Sequence, residues 1–167
     1  MTFYSTLKHR LIGELLLVAN QTRLIRSSYV DSKTAPTIQK DWVHDPKHPV
    51  LAKATNQLSE YLRGDRRKLT VSLQPIGTDF QLEVWNEVLK VPIGRTISYS
   101  ELAQKLKMPK AVRSIGAAIG RNPLLIFIPD HRVVNRSGAI GGFAGGWNRK
   151  PRLLELEGHL AKKDQRA

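Results

Sequence analysis

No cysteine occurs among the 167 residues. That absence excludes disulfides, thiolate metal sites and thiol nucleophiles. Acidic residues are also scarce. Fourteen Asp and Glu face 27 Lys and Arg, a formal net charge of +13 with a sequence pI near 10.3. A surplus of this size makes a polyanion the natural partner, nucleic acid ahead of an acidic membrane. Long apolar runs are missing too: none approaches the ~20 residues that span a bilayer. Met1–Arg10 is polar and carries Lys8, His9 and Arg10, so no secretory leader is expected. The expected setting is cytoplasmic and nucleoid-associated. What is present reads as ordinary globular sequence, with 41% hydrophobic and 25% charged residues, long enough for one large domain or two small ones. The histidines are scattered and no thiolate can join them, so no metal site is suggested.

The pattern changes along the chain. "TFYSTL", "ELLLVA" and "RLIRSSYV" read as strands separated by Gly13 and the "NQT" turn. Residues 31–46, with Pro36 and Pro46, read as a loop. In "HPVLAKATNQLSEYLRGD" the residues Val50, Leu51, Ala54, Leu58, Tyr61 and Leu62 form one apolar helix face, with Gly64 as its stop. "LTVSL" reads as a short strand. Residues 74–78, containing Pro75 and Gly77, read as a linker between a domain over 1–73 and another over 79–167. Helices dominate the second. "FQLEVWNEVLKV" aligns Phe80, Val84, Trp85 and Val88, and "SYSELAQKL" opens with Ser98 and Glu101 at capping-box spacing. Met108–Pro109 breaks that helix, and "KAVRSIGAAIG" begins the next with Val112, Ile115 and Ile119 inward. Two short helices joined by a tight turn in a basic chain suggest a helix-turn-helix.

The second helix of that pair has an outer side of Arg113, Ser114, Gly116, Ala117, Ala118 and Gly120. Glycine costs about 1 kcal/mol relative to alanine inside a helix, so two of them need a reason. One is close approach to another backbone within the fold. The other is close approach to a nucleic-acid groove, and a narrow minor groove suits small residues plus one arginine. Base readout in the major groove calls for Arg, Asn or Gln side chains, which argues against a sequence-specific helix-turn-helix regulator, the remote alternative.

"FIPDHRVV", residues 127–134, sets Pro129, Asp130, His131 and Arg132 at the end of an apolar run. With "ISYSELA" (97–103), "AVRSIGAAIGRNP" (111–123) and "GAIGGFAGGWNRKPRLLELEG" (138–158), this stretch resembles the O6-alkylguanine-DNA alkyltransferases, the methylated-DNA–protein-cysteine methyltransferases. The likeness covers nearly all of residues 79–158 in order and spacing. Residues 1–73 fit only by length and element order. The resemblance implies an α/β (α+β) fold, with a ribonuclease-H-like first domain and a winged-helix-like second domain holding the helix-turn-helix. It implies minor-groove docking on double-stranded DNA, extrusion of the alkylated guanine, a monomer and no cofactor.

By the same resemblance, Asp130 takes the alkyl-acceptor position, His131 is the base, Glu157 in the "LELEG" helix end orients it, and Asn122 precedes the active-site strand. Tyr99 crowds the phosphate and Arg113 fills the gap in the stack. Ser114, Gly116, Ala117, Arg121 and Arg132 join them on DNA. The lesion pocket is lined by Tyr99, Pro129, Val133, Gly141, Gly142, Phe143 and Ala144. Phe143 and Ala144 depart from the tyrosine and serine frequent in the family.

Asp130 departs further, because the family's acceptor is a cysteine. A carboxylate carries its charge unaided, with an ordinary pKa of about 3.9, and carboxylates act as nucleophiles in some enzymes. Attack on an alkyl ether favours a softer atom, and a neighbouring Glu157 would push one carboxyl pKa upward. The expectation is therefore binding of alkylated DNA with little or no alkyl transfer. Alkyltransferase-like proteins of this kind flag lesions for nucleotide-excision repair. The alternative is a suicidal methyltransferase inactivated by a Cys-to-Asp substitution, and a remote third reading has Asp130 itself alkylated to an ester.

Overall fold

A computed structural model of the protein describes residues 1–135 and 149–166. The chain divides into two units, Met1–Pro75 with Pro123–Phe127, and Ile76–Asn122 with Ile128–Ala167.

The first unit is built on a four-stranded sheet of order β3-β2-β1-β4. Strands β1 (Phe3–His9), β2 (Gly13–Ala19) and β3 (Leu24–Tyr29) form an antiparallel meander, and β4 (Val43–His44) adds parallel to β1. Leu15, Leu16, Leu17, Val18 and Ala19 are all buried, so β2 is covered on both faces. That explains its continuous rather than alternating apolar run. Helix α1 (Pro49–Leu62) packs on this sheet. Its Gln57 is buried where Val50 is half-exposed, because the Gln57 amide donates to Thr70 Oγ1 at 2.7 Å and accepts from Thr70 N at 2.7 Å. Gly64, at φ +83°, supplies the left-handed stop expected of it.

Two expectations need correction. "LTVSL" is not a strand: only Leu73 forms an isolated bridge, to Leu24. The 31–46 loop contains the two residues of β4, too short to leave a periodic signal. Further, Pro123–Phe127 stands with the first unit, whereas the sequence reading assigned 79–167 to one domain. Ser27 bridges Leu124 and its hydroxyl donates to the Leu125 carbonyl at 2.6 Å. Ile126 in this stretch adopts φ 74°, a strained conformation for a β-branched residue that costs of order 1–3 kcal/mol.

The second unit is helical. Helix α2 (Asp79–Val88) begins with a full capping box between Thr78 and Gln81 and buries Val84, Trp85 and Val88. Helix α3 (Tyr99–Lys105) starts at Ser98, whose Oγ accepts from Glu101 N at 3.0 Å. The Glu101 carboxylate returns the bond to the Ser98 hydroxyl rather than to its backbone N–H. Helix α4 (Val112–Gly120) packs on α2 and α3, and the Trp85 indole N–H donates to the Ala118 carbonyl at 2.9 Å. Between α3 and α4, Lys107 takes φ 58°, which turns the chain tightly. The short parallel strands β5 (Ile97–Ser98) and β6 (Val133–Val134) pair register-on-register. The final helix, α5 (Arg149–Arg166), is anchored near Gly94: at φ +81°, a Cβ there would lie 2.5 Å from Ala161 Cβ. Only glycine fits that turn without moving α5. Among the described residues, no helix is long and apolar enough to cross a membrane.

A buried carboxylate cluster beside a helix-turn-helix

Pro129 leads into a single 3-10 turn, Asp130–Arg132, which runs straight into β6. The Arg132 N–H closes the turn on the Pro129 carbonyl at 3.0 Å. Asn122, just past α4, donates its amide to the Ile128 carbonyl at 2.9 Å, tying the end of α4 to the residues that lead into the Asp130 turn. Strand β6 thus follows the turn, and Asp130, His131 and Arg132 themselves do not lie on a strand.

Within this turn Asp130 and His131 are 3% and 0% exposed. His131 Nε2 lies 2.7 Å from Glu157 Oε2. Arg132 grips the same carboxylate from Nε (2.8 Å to Oε1) and Nη2 (2.9 Å to Oε2), while its Nη1 donates to the Val91 carbonyl at 2.6 Å. Glu157 is itself buried, and α5 continues to Arg166, so Glu157 sits mid-helix and not at the helix end expected from sequence. Burial alone would raise its pKa. The hydrogen bonds and charges of His131 and Arg132 overcome that and hold it at about 2.

Asp130 has the opposite fate. Among the described residues, no hydrogen bond of ordinary geometry reaches either of its carboxylate oxygens, and none reaches the buried His131 Nδ1. Burial pushes the Asp130 pKa up from 3.8 to about 6, against the lowering pull of His131, Asn122 and Lys150. Desolvation is therefore the source of the rise, in line with burial of the site, and the neighbouring Glu157 is not among its causes. Tyr99, at the start of α3, has its pKa raised by burial and then by the Asp130 charge.

Lys150 was not singled out from sequence. It is 1% exposed, donates to the Val133 carbonyl at 2.6 Å, and has its pKa lowered by burial against the upward pull of Asp130. A lysine in a run of basic residues reads as solvated, so no local signal marks it.

Helix α4 sorts most of its residues as the sequence suggested; Val112 and Gly116 are half-buried, and Ala118 changes sides. Arg113, Ser114, Ala117 and Gly120 are exposed, and Ile115, Ala118 and Ile119 are buried, so Ala118 belongs to the inner side. A Cβ on Gly116 would meet the Tyr99 ring at 3.9 Å, an ordinary contact, whereas around Gly120 nothing lies within 4 Å. Close packing inside the fold therefore does not require Gly120. Exposed Lys105, Lys107, Lys110, Arg113 and Arg121 surround the helix pair, and residues 105–121 contain no acid. Singly, these lysines carry no signal that separates them from ordinary solvated charges; the acid-free run does. Arg132, placed among the DNA contacts from sequence, is turned inward onto Glu157 and Val91. Pro129 and Val133 are buried beside Asp130. Gly141, Gly142, Phe143 and Ala144 lie outside the described residues.

With this geometry in hand, comparison with known proteins identifies the family. The model of the 6-O-methylguanine DNA methyltransferase DNA-binding domain matches residues 79–159, and that of its ribonuclease-like domain matches residues 2–75. The methylated-DNA–protein-cysteine methyltransferase of Mycobacterium leprae is 39% identical over 148 residues, 89% of this chain and 88% of that protein. The chain belongs to the 6-O-methylguanine DNA methyltransferase family. The Mycobacterium tuberculosis methyltransferase is 40% identical over 158 residues, 92% of this chain and 91% of that one. The solved structure of Mycobacterium tuberculosis OGT in complex with DNA superposes with a TM-score of 0.86 at 37% identity, covering 95% of this chain and 94% of that one. The α+β fold of the family is thus present in both parts, and the match over residues 2–75 goes beyond the length and element order on which the sequence reading rested for residues 1–73. Among the described residues, no group of three or more His, Asp or Glu is placed to hold a metal ion.

Proposed function

We propose that this protein binds duplex DNA containing O6-alkylguanine, docking α4 in the minor groove and extruding the damaged base toward Asp130. The observation that carries this reading lies within one unit: an exposed, small-residue, basic helix face accompanies a buried polar cluster whose carboxylate lacks a hydrogen-bond partner. In this reading Ser114, Gly116, Ala117 and Gly120 allow the groove to close on α4, and Arg113 fills the space the base vacates. Tyr99 presses on the flanking phosphate, and Arg121 contacts the backbone with the lysines of 105–110. Extruding a base costs a few kcal/mol, less for a poorly paired alkylated guanine, which supplies selectivity. Asp130 occupies the position of the family's alkyl acceptor, so no stable thioether forms, and the bound lesion becomes a mark that excision-repair proteins read. The protein acts as a monomer in the cytoplasm, on the nucleoid.

The stack-filling role is tested by Arg113→Ala. Affinity for a duplex with one O6-methylguanine should fall by tenfold or more, about 1.4 kcal/mol, with a smaller loss on undamaged duplex. Equal losses on the two substrates would refute it.

A further inference from the structure

Asp130, His131 and Glu157 form more than a disabled acceptor site. A carboxylate, an imidazole and a second carboxylate that orients the imidazole make up a nucleophile–base–orienter set. The geometry fits each role. Glu157 is fixed by two Arg132 nitrogens and by His131 Nε2 at 2.7 Å, which leaves Nδ1 as the free face of the ring. That nitrogen and both Asp130 oxygens are buried and unpartnered, on adjacent residues of one tight turn. A desolvated carboxylate is a stronger nucleophile than a solvated one, and this one stays ionised in mildly alkaline solution because its pKa is about 6.

We infer that the protein is a slow, multiple-turnover dealkylase of O6-alkylguanine in DNA, working through a hydrolysable alkyl ester on Asp130. The inference rests on the lesion-pocket reading above and adds chemistry to it. In the first step an Asp130 oxygen attacks the alkyl carbon. The bond from that carbon to O6 breaks, its electron pair stays on O6, and the base takes a proton from solvent at N1 to become guanine. In the second step His131 Nδ1 removes a proton from water, whose oxygen adds to Asp130 Cγ. Asn122 and Lys150, whose pull lowers the Asp130 pKa, are the groups available to stabilise the oxyanion that develops. The intermediate collapses with loss of the alkoxide, which takes the proton from His131 and leaves as the alcohol. The acid formed on Asp130 ionises, returning the proton used at N1. The sum is O6-alkylguanine plus water giving guanine plus alcohol. A thioether cannot be hydrolysed in this way, so the exchange of sulfur for carboxylate trades speed for regeneration.

The test uses the full chain in excess lesion duplex carrying a labelled methyl group, in water enriched in heavy oxygen. The expected results are more than one guanine restored per protein, release of methanol, and heavy oxygen in the Asp130 side chain. His131→Gln should slow the second step by at least ~100-fold and trap a methyl ester on the peptide containing Asp130. Asp130→Asn should give neither product nor ester. Preferential lesion binding without any product would overturn the dealkylase and leave the binding reading standing. A stable ester on the unaltered chain, or heavy oxygen in methanol and none in Asp130, would overturn the hydrolytic step. Absence of any lesion preference would overturn the binding reading, and the dealkylase with it.

Discussion

Asp130 and Glu157 are two buried carboxylates with opposite electrostatic histories. Glu157 is met by Arg132 and His131, so the stability it contributes is present above its ordinary pKa near 4.5 and lost as pH falls toward 2. Asp130 is desolvated, and the pull of His131, Asn122 and Lys150 only partly offsets that. Between pH 4 and pH 6 the native state holds a proton that the unfolded chain releases. Stability therefore falls as pH rises through that window and stays reduced above it. The difference is worth roughly 3 kcal/mol. Asp130→Asn should accordingly be more stable than the parent by up to about that amount at pH 8 and nearly equal to it at pH 4, measured by urea denaturation. A gain that is the same at both pH values would show that the buried charge is not the cause. At this scale the sequence was legible only in part. Asp130 and His131 are adjacent and were visible at once. Glu157 lies 26 residues from His131 and by itself resembles any helical surface carboxylate. Lys150 gave no sign, since burial of a lysine depends on partners that local pattern does not reveal.

Helices announced themselves through their ends. Ser98 opens α3 and Gly64 follows the end of α1 as expected, because capping chemistry is local and written in neighbouring residues. The two-residue strands β4, β5 and β6 leave no signal in the sequence, being shorter than any period. "LTVSL" alternates like a strand, yet only Leu73 of these residues forms a strand bridge, which is a tertiary decision. On α4 the open space around Gly120 has a consequence for function. Gly120→Ala should stabilise the helix by up to about 1 kcal/mol and still weaken DNA binding, because the added methyl meets the groove and nothing else. Thermal denaturation and a binding titration on the same variant check both halves. Unchanged affinity with raised stability would remove Gly120 from the interface.

Across the whole molecule, the division into two parts was readable near residues 74–78 from Pro75 and Gly77. The return of Pro123–Phe127 to the first unit was not, because its pairing with Ser27 joins residues 98 apart in sequence. The net charge of +13 sets the expected mode of binding. If phosphate neutralisation dominates, the logarithm of affinity falls linearly with the logarithm of salt concentration, with a slope near −0.9 for each phosphate contacted. Titrations from low to physiological salt should give a slope of several units on damaged and undamaged duplex alike; a flat response would mean that the basic surface does not touch the backbone. Selectivity is a separate matter, and it belongs to the pocket around Asp130. The most direct measurement compares, at physiological salt, binding to a duplex with one O6-methylguanine and to the same duplex with guanine. A clear preference for the methylated duplex is predicted, and equal affinity for the two would contradict the account.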